Sequence, residues 1–325
     1  MSKKAVLIIV YNHRFDKNIE VLEELYRHRF TEVFHLMPFY DGDKKNVITV
    51  YESSYQFQGY FAQGFKHFFS EEYDDYFFIG DDLILNPAIN ENTYTETFQL
   101  SENAAFIPEI MSLHHFSNND TLRFQPVKSF SKSNRWYWWR VRQFITEYKH
   151  KSAGVSNDTE MPDYKEAESI FRRHGYEIKP LDFYDLYGGF FPLIRPLLKL
   201  LIKPGIFLKK VLPAYPAVAS YSDIVIVPKK AIRKFCHYCG VLATNKMFVE
   251  LAIPTALLLA AEKVVTEPQL GKRGSIYWTY TKEEENKYEE DMKVYNSVLK
   301  DLLKNFPKEK LYIHPVKLSK WHTSL

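Results

Sequence analysis

Six consecutive apolar residues, Ala5-Val-Leu-Ile-Ile-Val10, run into Tyr11 and a polar turn, and this opening does most to limit the folds available to the chain. A β-rich run with no polar face is a strand covered on both sides, and a sheet of such strands carries helices on both faces. A helix fits residues 17–28, where Ile19, Leu22, Leu25 and Tyr26 recur at three- and four-residue steps. Glu20, Glu23 and Glu24 are left for water, and Asp16 is placed to cap it. Residues 32–38 and 46–51 read as short strands, 57–69 as a helix and 76–79 as a fourth strand. This alternation predicts an α/β sheet of parallel character.

The chain has 325 residues, enough for one large core or two smaller ones. With 43 Lys+Arg against 40 Asp+Glu the net charge is +3, so composition points to no nucleic-acid partner. The 25 Phe, 23 Tyr and 5 Trp are many, and core packing or sugar stacking would use them. Cys236 and Cys239 are the only cysteines, which excludes a disulfide framework and favours a reducing, cytoplasmic compartment. Their Cys-x-x-Cys spacing lacks the further ligands that zinc needs, and Gly240 stands where haem attachment needs a histidine. The basic start and short apolar run imitate a signal peptide but lack a small-residue cleavage site, so they read as the first strand. No apolar stretch reaches the roughly 18 residues of a membrane-spanning helix. Walker and Gly-x-Ser-x-Gly motifs are missing, which removes P-loop NTPase and serine-hydrolase readings.

Three parts are expected: residues 1–120, a helical or irregular insertion over 121–215, and a return to the sheet over 216–325. In the last part a strand fits 223–227, helices fit 229–238 and 249–261, and a long helix runs from a Thr281/Glu284 capping box to Pro307. Its apolar face is Tyr288, Met292, Tyr295, Leu299 and Leu302. Within the insertion, residues 135–142 hold three of the five tryptophans between arginines, fit for sugar stacking or for a core. Residues 190–212 mix Leu, Ile and Phe with Lys and Arg, a composition suited to an anionic membrane surface or to a buried hairpin.

Ligands of such sheets bind beyond the carboxyl ends of the strands. There stand Tyr11-Asn12, Glu52-Ser53 and Gly80-Asp81-Asp82. Two adjacent acids at a strand's mouth suit Mg²⁺ or Mn²⁺ bridged to phosphate, and a solvated turn or helix cap is the alternative. Val10-Tyr11-Asn12 and Gly80-Asp81-Asp82 resemble the Val-x-Tyr-Asn-like and Asp-x-Asp elements of GT-A-fold nucleotide-sugar-dependent glycosyltransferases. Gly80 takes the place of the motif's first acid. The resemblance implies a GT-A-like, Rossmann-type mixed but mainly parallel sheet flanked by helices. Residues 1–120 would form its nucleotide-sugar half and residues 216–325 its acceptor and catalytic half. It implies Asp82 as metal ligand, Asp81 directed at the ribose or supporting the site, and nucleotide contacts from Tyr11, Asn12 and Glu52.

The same resemblance supplies chemistry: a nucleotide diphosphate leaves the anomeric carbon and an acceptor hydroxyl replaces it, with the metal offsetting charge on the leaving group. Inversion needs a base at the acceptor. Glu250, at the start of an apolar helix, is similar to the late acidic base of inverting members, and a helix-capping glutamate is its plain alternative; Asp223 is the second candidate. His314, Lys317 and Lys320 recur at three-residue steps before Trp321, similar to the His-x-x-Gly-x-x-Lys-Pro-Trp element of some GT-A enzymes. That resemblance carries over His314 as a metal ligand and Lys320 as a diphosphate contact, against the alternative of a solvated basic face. The expected activity is sugar transfer to a glycan or lipid-linked acceptor in surface polysaccharide synthesis, in the cytoplasm or at the inner membrane face. A sugar nucleotidyltransferase and a non-catalytic glycan- or membrane-binding protein are the rivals.

Overall fold

Every residue of β1 (Ala5–Val10) is buried. Its side chains alternate, with Val6, Ile8 and Val10 entering one core and Leu7 and Ile9 the other, as the period of two requires. The computed structural model describes residues 3–113, 160–180, 212–213, 215–277 and 282–325. After β1 come α1 (Lys17–Tyr26), β2 (Glu32–Pro38), β3 (Val47–Val50), α2 (Gln58–Phe68) and β4 (Asp75–Gly80). Then follow β5 (Ile84–Leu85), α3 (Tyr94–Thr97), β6 (Ala104–Phe106), β7 (Met111–Ser112) and α4 (Tyr164–Arg173). The last third holds β8 (Val218–Ala219), β9 (Ile224–Pro228), α5 (Lys229–Thr244), α6 (Val249–Ala260), β10 (Lys263–Val265), α7 (Glu267–Leu270) and β11 (Arg273–Ile276). It ends with α8 (Lys282–Lys293), α9 (Leu299–Lys304) and β12 (Lys310–His314).

The central sheet has seven strands in the order β3-β2-β1-β4-β9-β6-β10. β9 runs antiparallel to β4 and β6, and the other pairings are parallel, so the sheet is mixed and mainly parallel. Helices α2, α5 and α6 pack on one face and α1 on the other, giving an α/β protein with two cores. Many of the described aromatic side chains pack in these cores. Phe61 lies 4.4 Å from Phe78 and 5.7 Å from Phe235, and on the other face Phe77 meets Tyr94 at 5.0 Å. Gly240 lets α5 approach α2, because a Cβ there would stand 2.8 Å from Ala62 Cβ. Cys236 and Cys239 are buried in the same helix face, where burial pushes both thiols up.

Two local expectations are corrected. Asp16 holds the N-cap position of α1 without a capping bond, because its carboxylate is taken by Arg14 Nε and Nη2 at 3.0 and 2.9 Å. The long C-terminal helix is two helices, α8 and α9, since Asn296 and Ser297 adopt left-handed backbone at φ 52° and 53° and turn the chain. Thr281 of the expected capping box, the tryptophan cluster of 135–142 and, save for Leu212, the basic stretch of 190–212 lie outside the described residues. One described part of the insertion, α4, places Ala167 and Phe171 in the core beside α6. Among the described residues no helix is long and apolar enough to cross a membrane.

Candidate functional site

The reversed direction of β9 brings its beginning to the edge where β1 and β4 end. Gly80 N donates to Asp223 O at 2.9 Å, and Asp81 N donates to Val10 O at 3.0 Å. Three strands thereby fix Asp81, Asp82 and Asp223 along one edge. A second, three-stranded sheet of order β11-β12-β5 carries the fourth group there. β5 begins two residues after Asp82 and pairs antiparallel with β12, Ile84 opposite Ile313 and Leu85 opposite Tyr312. Val316 N then donates to Asp82 O. The result sets His314 Nε2 3.1 Å from Asp82 Oδ1, with the two side chains 15% and 24% exposed. The Tyr221 ring stands edge-on to His314, 5.4 Å between centroids, and stacks on Tyr312.

Burial and charge oppose each other at this pair. Burial pushes Asp82 up, but the His314 and Lys317 charges outweigh it and hold the carboxyl below its usual range. Burial alone would push His314 down, yet Asp82 and Asp223 hold the imidazole above its ordinary value. At Asp81 burial, reinforced by Asp82, raises the carboxyl to about 7 despite hydrogen bonds from Asn18 Nδ2 at 3.1 Å and the Asn12 backbone. Burial also raises Asp223, with His314 opposing it and Asp82 adding to it. Glu250 is pushed well up by burial and by the Asp223 and Glu109 charges. Its backbone carbonyl accepts from Ser220 N at 3.0 Å, three residues before Asp223, and α6 shows no side-chain cap bond. Glu250 thus stands in the first turn of α6 as a desolvated acid within reach of the Asp223 charge.

Gly80 explains its own presence. A Cβ on this residue would lie 3.3 Å from Asp82 Oδ1 and 3.6 Å from Asp223 Oδ1. Two carboxylate oxygens from separate strands thus converge on the space that a side chain at position 80 would claim.

Not every expected residue joins the cluster. The Tyr11 ring is fully buried and its hydroxyl meets His35 Nδ1 at 2.9 Å. Burial lowers His35 to about 4, so its ring is neutral. The Tyr11 N–H is taken by Leu36 O at 3.0 Å, and Asn12 meets Asp81 through its backbone. Glu52 follows β3, two strands away from β1, and its Oε1 accepts from Ser53 N at 2.7 Å. It shares the edge without contacting the acids. Lys320, on the 3₁₀ turn Leu318–Lys320, lines a neighbouring cavity, whereas the Lys317 charge acts on Asp82 directly. Lys317, Asn18 and Glu109 are the residues that motif reading missed. Only Lys317 carried a signal, its place in the three-residue spacing.

Among the described residues no set of three or more His, Cys, Asp or Glu side chains is grouped to hold a metal ion unaided. A hard divalent cation needs fewer, because Mg²⁺ usually binds through one or two carboxylates and takes substrate phosphates for the remainder. Asp82 Oδ1 is buried without a well-directed hydrogen bond among the described residues. Its 3.1 Å separation from His314 Nε2 matches one octahedral edge, about 3.0 Å for bonds of about 2.1 Å. Asp82 and His314 fit a cation shared with a phosphate. A scan against protein-family models, a search of curated proteins and a search of solved structures each find no match to this chain.

Proposed function

We propose that the chain is a GT-A-like glycosyltransferase that moves a sugar from a nucleotide diphosphate sugar to a glycan or lipid-linked acceptor, with inversion, in the cytoplasm or at the inner membrane face. The observation that carries this reading is the meeting of Asp82 with His314 at the mouth of the sheet, beside Asp223 and Glu250. Such a constellation, at the carboxyl ends of parallel strands, is where a phosphate-bearing ligand of an α/β sheet belongs.

In this reading Asp82 and His314 would hold Mn²⁺ or Mg²⁺, which supplies positive charge against the departing diphosphate. Lys317 adds a second positive charge on the same side, and Lys320 reaches from the next turn. Asn12 and Asp81, tied by a hydrogen bond, orient the ribose. The bond from the anomeric carbon to the diphosphate oxygen breaks with its electrons leaving on the nucleotide. The acceptor oxygen forms the new bond, and its proton passes to the ionised carboxylate of Glu250. Burial and the Asp223 and Glu109 charges raise the proton affinity of that carboxyl, which favours its taking the proton.

A thermal-shift series tests the assignment. A nucleoside diphosphate with Mn²⁺ should raise the melting temperature, by about 2.7 kcal/mol of stabilisation at a hundredfold excess over Kd. Slow Mn²⁺-dependent hydrolysis of the matching nucleotide sugar should accompany it. No stabilisation by any nucleoside diphosphate, with or without the cation, overturns the reading.

A further inference from the structure

Between α8 and the 3₁₀ turn Leu318–Lys320 lies a cavity of about 460 Å³, a volume within the usual range for small-molecule sites, about 300–1,000 Å³. Its apolar wall is made of Tyr288, Met292 and Trp321, and Glu285, Glu289 and Asn296 stand with them in the lining. Tyr288 is hydrogen-bonded to Trp321 and is met edge-on by Tyr277 at 5.4 Å, so both aromatic groups are held in place. The cavity neighbours the candidate site. Tyr288 is close enough to Asp82 to feel its charge, and Lys317 belongs to both places.

The lining selects among ligands. A wholly apolar molecule would strip water from two carboxylates without replacing their hydrogen bonds. Lys293, Lys317 and Lys320 line the same cavity and roughly balance the two carboxylates, so a polyanion or a polycation would meet like charge as well as opposite charge. A sugar ring has an apolar C–H face and an edge of hydroxyls. An indole face beside carboxylate and amide groups complements both.

We propose that this cavity binds a neutral saccharide, with Trp321 as the stacking surface and Glu285, Glu289 and Asn296 as hydrogen-bonding partners, and that it is the acceptor subsite. The acceptor role rests on the transferase reading above; saccharide binding does not. Saturation-transfer NMR on the full chain, with cellobiose, lactose and N,N′-diacetylchitobiose as probes, should show transfer to the ring protons of at least one. Trp321→Leu and Glu289→Lys should each weaken that binding by about tenfold, and Trp321→Phe should recover part of it. Glu289 is exposed, so its variant keeps the test decisive should Trp321→Leu fail to fold. No transfer to any probe, or transfer unchanged in both variants, overturns the proposal. Donor hydrolysis with Mn²⁺ is read separately. Hydrolysis without saccharide binding overturns the cavity assignment and keeps the transferase, whereas saccharide binding without any hydrolysis keeps the cavity and overturns its acceptor role.

Discussion

His314 Nε2 stands 3.1 Å from Asp82 Oδ1, and each residue moves the other's proton affinity against the pull of burial. His314, raised, contributes stability that is complete below its unfolded value and lost as pH rises through its folded one. Asp82, lowered, contributes stability that is complete above its unfolded value and lost as pH falls through its folded one. Both contributions are therefore complete together between the ordinary aspartate and histidine values, 3.8 and 6.5, and the His314 part declines above that window. In NMR titration His314 should titrate above the ordinary 6.5, and in Asp82→Asn it should drop below that value because burial then acts with less opposition.

Asp82→Ala should abolish Mn²⁺-dependent nucleotide binding and donor hydrolysis. Loss of residues that merely orient metal ligands costs about 10–100-fold, so loss of a ligand costs at least the upper end. Calorimetry with a nucleoside diphosphate, with and without Mn²⁺, measures it. Unchanged affinity would remove Asp82 from the site.

Glu250→Gln should lower turnover by about 10²–10⁴-fold, the usual worth of a general base. Nucleotide affinity should stay within about twofold, because a base acts in the transition state. Single-turnover kinetics beside equilibrium binding separates the two. Equal losses in both would assign Glu250 to the architecture of the edge.

Asp81 gives a pH signature of its own. Between the ordinary aspartate range and about 7 the native state binds this proton more tightly than the unfolded chain does, so stability falls as pH rises across that window. Asp81→Asn should flatten this slope and raise the melting temperature at pH 8 while weakening nucleotide binding. Melting curves from pH 5 to 8 check it, and an unaltered slope would contradict the burial argument.

Gly80→Asp should weaken metal-dependent nucleotide binding by about tenfold or more, because its carboxylate would enter space already bordered by Asp82 and Asp223 oxygens. Combining it with Asp223→Ala returns the number of carboxylates to its original value and should recover part of that binding. A double variant no better than the single one would show that Asp223 does not stand in for a side chain at position 80.

Much of the sheet was legible because β1 and β4 are unbroken apolar runs, and an acid pair after such a run marks the edge where ligands bind. What joins Asp82 to His314 was not legible. The joint is β5, two residues long, and a pairing that short leaves no periodic trace between Ile84 and Leu85. Tyr11 was read as a ligand contact because it ends the first strand. Its side chain continues the strand's alternation into the core, where His35 supplies a partner that no local pattern announces. Lys317 was passed over for Lys320 because it stands where the resembled element has glycine, and only the turn after His314 brings its charge to bear on Asp82. Glu109 follows a three-residue strand with no motif around it, and its effect on Glu250 exists only in three dimensions.

The backbone bond from Val316 to Asp82 joins two segments far apart in the chain. Closing so long a loop costs entropy that a single contact cannot offset, so the pairing of Asp82 with His314 forms only together with the strands that carry both.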